Sequence, residues 1–480
     1  MRNLITISIC LFVSIQSVGQ TYFNNTYESG QLEGGVGLTL VDDTLYTLSW
    51  QYDFLKYSLI LTKLDLEGNR IAEYPMSDSV DMVPSYIGFF KEDDHFVGYG
   101  YTKVLDTIRP LIFKFSKTGQ IIWQRSYNLP GAIQADLNNG ILGNGDSTYV
   151  FGGLIVTAGN GSEYLFFKTD TAGNELTSQV YGGLGHDQAI SIDKGLDSGY
   201  ILSGYNKSVE TNGNLFILKL TESGNTQWSR NYGTNFEFES GSVTTGTNNY
   251  WVVGPWGVGS EFTGQIMRLN KLGNIDYQII VNDPDIHQAN LYAGVELTDG
   301  SFIAVGVVAD TVDFNPLGWM LKVDSNCNEI WKRTYQIRTE DHYLRDVISL
   351  GDTSFVACGY VFPDGTGNSE DMWLIRTDSF GCDSLGCHTV GINDIETKQD
   401  WLFKTYPNPS SGTFTVYFEA SNLFTKLTIQ DLLGNVVLVK KLYSKEHVLI
   451  DLSDQPAGIY LCSLQIGFKT IYADKLILTK

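Results

Sequence analysis

The feature that most constrains the fold is a sequence element that recurs about every fifty residues. It consists of a polar turn, an aromatic residue, a short apolar strand and usually a glycine, as in residues 197–204, 299–306 and 352–359. Its aromatic residue recurs at spacings of 50 to 53 residues, at Tyr46, Phe96, Tyr149, Tyr200, Tyr250, Phe302 and Phe355. Such a steady spacing predicts seven copies of one structural unit.

A second element follows each copy: an apolar strand, a basic residue, a polar turn and another strand. One turn position is held by Gly68, Gly119, Gly173, Gly224, Gly273, Cys327 and Gly381. Glycine there indicates a positive φ angle, which lets two antiparallel strands join tightly. The strand after the turn often carries a tryptophan and, four residues later, a tyrosine: Trp123 and Tyr127, Trp228 and Tyr232, Trp331 and Tyr335.

A third apolar stretch, such as residues 344–350, completes each repeat, so each repeat is predicted to be a meander of four short strands. Four-stranded units of this length are typical of β-propeller blades. The composition agrees, because 50 glycines, 13% aromatic residues and only 18% charged residues favour short strands with tight turns. We therefore predict an all-β fold with a seven-bladed β-propeller over residues 20–390, followed by a small C-terminal β-sandwich.

The seventh repeat lacks a good last strand, and the missing strand is found near the N-terminus. In residues 22–27, Phe23 and Tyr27 have the same spacing as Trp228 and Tyr232. A strand within residues 20–30 is therefore predicted to close the last blade and to remove an open sheet edge.

Residues 1–19 have the order of a secretory signal peptide. Arg2 precedes an apolar run at residues 4–15, and small or polar residues follow up to Gly19, after which cleavage is predicted. No later stretch is long and apolar enough to predict a membrane span. The net charge of −22 argues against nucleic acid as a partner. An exported, acidic, β-rich protein is predicted.

The last part of the chain departs from the fifty-residue period. Residues 391–403 are polar and are predicted to be a linker, and residues 404–480 contain alternating strands with their own turn cluster. This segment carries several spaced motifs: Tyr406, Pro407, Asn408, Pro409 and Gly412, then 431–435, then Gly458 and Tyr460 in 457–460, then a basic end.

These motifs resemble the type A C-terminal sorting domain of the type IX (Por) secretion system of Bacteroidota. The resemblance implies passage through the periplasm, with the tail recognised by the type IX secretion machinery. It also implies release to the medium or attachment to the outer cell surface. The repeats are similar to uncharacterised propellers often fused to such tails, which implies a fold and a route but no activity.

The sequence contains few candidates for chemistry. His186, His287 and His342 occupy nearly the same place in their repeats, each near an acidic residue, so they are weak candidates for a metal site. A structural role for them is favoured. Two Asp/Asn clusters, 282–285 and 364–367, leave Ca²⁺ open, although neither has the spacing of a calcium loop, and turn chemistry explains them better. No cofactor and no catalytic residue are predicted.

Cys382 and Cys387 are close enough in sequence to form a disulfide, which an exported protein permits. The tryptophan motif resembles the docking motif of quinoprotein propellers, where it packs one blade against the next, and the vicinal cysteine pair of such enzymes is absent. It implies packing and no cofactor.

Two functional classes remain open on the sequence alone. The favoured one is a non-catalytic binding protein that takes a glycan or protein ligand. Individual repeats are distinguished by Trp251, Trp256 and Gly257 and by Asn315, Pro316 and Trp319, which suit stacking on a ligand if they are exposed. The alternative is a secreted enzyme, a lyase or hydrolase acting on polysaccharide or peptide, with its site in the propeller funnel.

Overall fold

The computed structural model of the chain describes the following residues: 22–27, 32–52, 57–76, 83–208, 214–233, 241–258, 261–281, 286–310, 314–337, 341–362, 370–384, 387, 404–417, 425–431, 436–442, 447–466 and 469–479. The predicted signal peptide, the linker and both Asp/Asn clusters lie outside them. The regular elements of the described residues are all strands except one 3₁₀ helix at Asn144–Asp146, so the all-β prediction is confirmed. None of their helices is long and apolar enough to cross a membrane.

The first strand is β1 (Phe23–Tyr27). Strands β2 to β28 then form seven consecutive antiparallel meanders, in which each strand pairs with the next strand of its own sheet. Sheet 1 contains β2 (Leu32–Val41), β3 (Thr44–Tyr52), β4 (Tyr57–Leu64) and β5 (Arg70–Pro75). Sheet 2 contains β6 (Val83–Glu92), β7 (His95–Val104), β8 (Thr107–Ser116) and β9 (Ile121–Ser126). Sheet 3 contains β10 (Ala132–Leu142), β11 (Thr148–Thr157), β12 (Ser162–Asp170) and β13 (Glu175–Tyr181). Sheet 4 contains β14 (Asp187–Lys194), β15 (Tyr200–Asn206), β16 (Asn214–Leu220) and β17 (Thr226–Tyr232).

The remaining meanders follow the same plan. Sheet 5 contains β18 (Ser242–Thr245), β19 (Tyr250–Val258), β20 (Glu261–Leu269) and β21 (Ile275–Ile280). Sheet 6 contains β22 (Ile286–Glu296), β23 (Phe302–Asp310), β24 (Pro316–Val323) and β25 (Glu329–Tyr335). Sheet 7 contains β26 (His342–Ser349), β27 (Ser354–Val361) and β28 (Asp371–Asp378), with β1 as its fourth strand.

The sheets follow one another in a circuit. The first strand of each sheet contacts the first strand of the next, from β2 through β6, β10, β14, β18 and β22 to β26, and β26 contacts β2 again. Single parallel bridges also join sheets 2 and 3, at Ile108 and Gln134, and sheets 5 and 6, at Phe262 and Gln288. The predicted propeller-like arrangement agrees with this circuit.

The last strand of a sheet packs on the turn of the next sheet, and we call this set of contacts the docking ring. The Trp228 ring lies against Gly273, where an added Cβ would be 2.7 Å from it, and the Tyr232 hydroxyl donates to the Gly273 carbonyl at 2.5 Å. The glycine has a φ of 77°, as the turn pattern predicts. Trp123 and Tyr127 pack in the same way on Gly173, and Trp331 and Tyr335 on Gly381.

Strand β1 makes the same contact across the point where the circuit closes. It pairs antiparallel with β28 from Phe23 opposite Arg376 to Tyr27 opposite Met372. Phe23 takes the place of the tryptophan and lies against Gly68 of sheet 1, and the Tyr27 hydroxyl donates to the Gly68 carbonyl at 2.7 Å. Both side chains are buried. The predicted N-terminal strand thus completes sheet 7.

The docking ring varies at three of the described boundaries. Tyr74 of β5 packs on Gly119, and Gln179 of β13 packs on Gly224 while the Tyr181 hydroxyl donates to the carbonyl of that glycine. The third is the boundary of sheets 5 and 6. Cys327 fills the glycine position there with a φ of 60°, and β21 carries no tryptophan. Cys327, Cys358 and Cys462 are free and buried, so they behave as small apolar side chains. Cys382 and Cys387 are bonded to each other in the structure.

The tail contains two further sheets. The first is formed by β29 (Lys404–Tyr406), β30 (Thr413–Tyr417) and β33 (His447–Asp451), and the second by β31 (Thr425–Asp431), β32 (Val436–Leu442), β34 (Gly458–Ile466) and β35 (Lys469–Leu478). Side chains from both sheets, including Phe414, Ile450, Leu427 and Leu476, form one buried cluster. Apolar residues alternating with exposed ones on β30 and β33 produce this arrangement.

Candidate functional site

The three histidines that the sequence singled out differ in their surroundings. His186 and His287 are exposed, and the His287 ring lies edge-on to Phe314 at 4.8 Å. His342 is fully buried, where its Nε2 accepts a hydrogen bond from the Ile337 N–H and its ring packs on Trp373. Within the part of the chain that the structure describes, no three His, Cys, Asp or Glu side chains form a group that could hold a metal ion.

The acidic neighbours of these histidines mainly serve local structure. The Asp187 carboxylate is buried and accepts hydrogen bonds from the backbone N–H groups of Gly183, Lys207 and Ser208. Burial raises the pKa of Asp341. Asp285 lies outside the described residues.

The aromatic residues that the sequence proposed for ligand stacking are mostly in the core. Trp251 is fully buried and stacks on Phe302 with ring centroids 4.6 Å apart, and Trp319 is 1% exposed. These two side chains therefore serve packing. Trp256 is half-buried, Gly257 is buried, Asn315 is exposed, and Pro316 lines a cavity.

That cavity, of about 310 Å³, lies where sheets 5, 6 and 7 meet, and we call it the corner pocket. Its walls come from β19, β20, β22, β23, β24 and β26. The principal lining side chains are Pro255, Phe262, Asn290, Tyr292, Pro316 and Tyr343. Its size and its aromatic lining with a few amides are typical of sites for small ligands.

A repeated β-bulge positions one of the pocket walls. In β22 the register with β23 shifts between Leu291 and Ala293, which leaves Tyr292 as the extra residue. In β26 the equivalent shift leaves Arg345 as the extra residue. A bulge re-aims its side chain and is over-represented at functional rims. The two bulge residues of neighbouring sheets meet, with the Arg345 guanidinium 4.1 Å from the centroid of the Tyr292 ring.

Arg345 is surrounded by tyrosines. Its Nη2 donates to the Tyr360 hydroxyl at 2.6 Å, and the guanidinium also lies 5.9 Å from the Tyr343 ring centroid. Tyr343 and Tyr360 are directly opposite in the β26–β27 register, so their rings stack at 5.1 Å. Cation–π contacts of this kind stabilise a partly buried guanidinium.

One polar atom of the pocket wall lacks a partner. The Asn290 Oδ1 is buried and has no hydrogen-bond partner among the described residues. A buried acceptor without a donor costs about 1–3 kcal/mol. Asn290 is one of the residues that line the corner pocket.

The titratable groups of the pocket do not favour proton transfer. Among its described lining residues, only Tyr292 and Tyr343 titrate, and burial raises the pKa of both phenols. They therefore remain protonated and uncharged at neutral pH. Burial also raises the pKa of the Glu370 carboxyl near Arg345, although the guanidinium opposes this. The pocket offers ring faces, hydrogen bonds and a nearby positive charge.

Sequence reasoning did not find the corner pocket. The available signal was Arg345 itself, a charged residue within the apolar stretch 344–350. The bulge and the contact between neighbouring sheets are not visible in the repeat pattern.

The sorting motif ties the beginning of the tail to its last strand. The Asn408 Oδ1 accepts from the Ile477 N–H at 2.9 Å, and Ser410 pairs with the backbone on either side of Leu478. Gly412 has no room for a side chain, because a Cβ would lie 2.4 Å from the Ser453 Oγ. Tyr406 is 71% exposed.

The second part of the motif lies on β34. Gly458 pairs with Leu478 of β35, and the Tyr460 hydroxyl donates to the Pro456 carbonyl at 2.7 Å. The residues of the motif therefore shape the tail and leave Tyr406 at its surface.

Several solved structures are similar to the chain. A polysaccharide lyase, Uly1, has 10% identity and a TM-score of 0.44, with 76% of this chain and 94% of that one covered. The β-propeller domain of the Trilobed protease from Pyrococcus furiosus has 6% identity and a TM-score of 0.41, with 77% and 99% covered. A protein of unknown function from Dyadobacter fermentans has 8% identity and a TM-score of 0.40, with 75% and 97% covered. Likenesses of this extent say nothing about activity.

No curated protein matches the chain. Residues 404–479 match the model of the secretion system C-terminal sorting domain. This agrees with the resemblance of the tail motifs. The tail is a type IX sorting signal, and the protein is secreted to the cell surface or the medium.

Proposed function

We propose that the protein is an exported, non-catalytic binding protein. In this proposal sheets 1 to 7 are the blades of one closed seven-bladed propeller, and the tail is a β-sandwich that the type IX machinery recognises before the protein reaches its destination. The ligand, a glycan or a protein segment, occupies the corner pocket. One observation carries the proposal: the pocket combines aromatic faces with an unsatisfied acceptor, and its described lining contains no carboxylate, histidine or cysteine.

A direct test is a binding screen of the mature protein on polysaccharides and peptides, run beside a turnover screen on the same panel. The variant Asn290→Leu removes the unsatisfied acceptor, so we expect it to lose affinity for a hit while remaining as stable as the parent. Gln188→Leu is the matched control, because Gln188 lies two residues before the bulge on β14, as Asn290 does on β22. Equal loss of affinity in both variants would contradict the pocket assignment.

A second candidate function is an enzyme of the lyase or hydrolase class. It is favoured by one observation: the carboxyls of Glu370 and Asp341 both have pKa values raised by burial. Carboxylic acids that stay protonated closer to neutral pH suit general acid catalysis. Product formation that disappears in Glu370→Gln would support this candidate and reject the binding-only function.

Export is tested separately from binding. A chain that ends before residue 404 is expected to fold but to remain in the periplasm, because the sorting motifs are missing. Fractionation of cells that express both forms measures the difference. Normal surface display of the shortened chain would reject the role of the tail.

A further inference from the structure

Arg345 is a partly buried cation in a strongly acidic chain. The protein has 54 acidic and 32 basic residues, yet no carboxylate among the described residues forms an ion pair with this guanidinium. Its described contacts are the three tyrosine rings and the Tyr360 hydroxyl. A partly buried guanidinium is usually paired with an anion.

The groups around Arg345 suit a cyclic ligand that carries a negative charge. Tyr292 and Tyr343 both contact Arg345 and both line the corner pocket, so the guanidinium lies next to two lining rings although it is not itself a lining group. The planar guanidinium matches a carboxylate in shape and charge. The ring faces suit stacking, and the Asn290 Oδ1 accepts only from a donor such as a hydroxyl.

We propose that the ligand of the corner pocket is an acidic sugar, a hexuronate unit of a polysaccharide. Its ring packs on the tyrosine wall, a ring hydroxyl donates to Asn290, and its carboxylate is attracted by Arg345. This rests on the proposed binding function and adds the class of the ligand. The net charge of −22 repels acidic polymers in general, so the positive charge of Arg345 has to supply the local attraction.

Glu370 is an acidic residue whose carboxyl interacts electrostatically with Arg345. Burial raises the pKa of this carboxyl and the Arg345 charge opposes that rise, so an ionised Glu370 would partly offset the positive charge that attracts the ligand. Glu370→Gln should therefore tighten the binding of the acidic sugar and leave a neutral sugar unaffected.

The test compares an oligoglucuronate with its carboxyl-reduced form, which differs only in charge, by calorimetry on the mature chain. We expect the acid to bind about ten-fold or more tightly than the reduced form, as a charge-assisted contact provides. In Arg345→Gln the two forms should bind alike, and Arg345→Lys should keep part of the preference. Thermal melting of each variant separates loss of charge from loss of fold.

The outcomes separate the two proposals. If the acid and its reduced form bind equally to the parent protein, the acidic-sugar inference is wrong while the binding function stands. If neither form binds and no member of the wider panel binds, the binding function itself is rejected. A preference for the acid that persists in Arg345→Gln would overturn the role of that residue.

Discussion

The docking ring and the bulges of the first strands differ in how much their side chains vary from sheet to sheet. The docking ring repeats a similar contact from boundary to boundary. An aromatic ring lies on the glycine at Gly68, Gly173, Gly273 and Gly381, and a tyrosine hydroxyl donates to the glycine carbonyl at these four and at Gly224. The bulge is equally regular in backbone, but its residue changes from sheet to sheet: Asn138, Ile190, Tyr292 and Arg345. A fixed backbone with a varied side chain provides a place for ligand chemistry, whereas a repeated side chain provides the fold.

The largest effect is expected where the docking ring closes. Deleting residues up to Tyr27 removes two buried aromatic side chains, each worth about 3–5 kcal/mol, and leaves β28 as an open edge. We expect a drop of the melting temperature by roughly 10 °C or more and self-association on size-exclusion chromatography. The control chain begins at Gln20. If the deleted chain melts with the control and elutes as the same species, the closing role of β1 is refuted.

A smaller effect is expected at one internal boundary of the docking ring. Gly273→Ala adds both backbone strain, at a φ of 77°, and a clash with the Trp228 ring. Gly131→Ala is the matched control, because it has the same φ of 77° and open space around the added Cβ. We expect the control to lose about 1 kcal/mol and Gly273→Ala about 2–4 kcal/mol by denaturant unfolding. Equal losses would show that the tryptophan contact does not matter.

The next prediction concerns pH and compares a carboxyl on the first strand of sheet 3 with a carboxyl in a turn of sheet 6. Burial raises the pKa of Asp136, on β10, to about 6, so its charge destabilises the fold. The pKa of Asp136 is higher in the folded than in the unfolded protein. The contribution of this residue to the free energy of unfolding is therefore fully present below about pH 4 and is lost as the pH rises through about 6. Asp136→Asn should therefore stabilise by about 1–3 kcal/mol at pH 8 and have little effect at pH 4.

The contrasting residue is Asp324, in the turn that precedes Cys327. Hydrogen bonds from Asn328 lower the pKa of its carboxyl, so its contribution is present at neutral pH and lost as the pH falls through the folded value. Asp324→Asn should destabilise at pH 7 and less at low pH, opposite in sign to Asp136→Asn. Denaturant unfolding of both variants at both pH values measures this difference. If the two variants respond to pH in the same direction, the prediction is wrong.

The smallest effect is expected from the Cys382–Cys387 bond, which joins residues five apart just after β28. The chain-entropy model gives about 2 kcal/mol for so short a loop. Reduction should lower the melting temperature by only a few degrees, and intact mass with and without reductant measures the bond directly. Two free thiols in the exported protein would contradict the disulfide.

The sequence predicts the regular parts of the molecule well, for a physical reason. The aromatic, glycine and tyrosine of the docking ring recur at fixed spacing, and Phe23 and Tyr27 could be recognised because they copy that spacing. The exposed-aromatic hypothesis was wrong for Trp251 and Trp319, because an aromatic side chain has the same pattern in a core as on a surface. The corner pocket could not be predicted, because it depends on bulges in β22 and β26 and on side chains from three sheets.

The pairing of β1 with β28 has a consequence for how the chain folds. The Trp373 indole N–H donates to the side-chain Oδ1 of Asn24 across 349 residues of sequence. Joining chain segments so far apart costs roughly 5 kcal/mol of loop-closure entropy, and contacts of such long range are slow to form. Strands β2 to β27 can pair locally first, while β1 waits for the last sheet. The slow step is therefore expected to be the pairing of β1 with β28. Until this pairing occurs, the array of sheets is open and has two unpaired edges, so this stage is the most prone to aggregation.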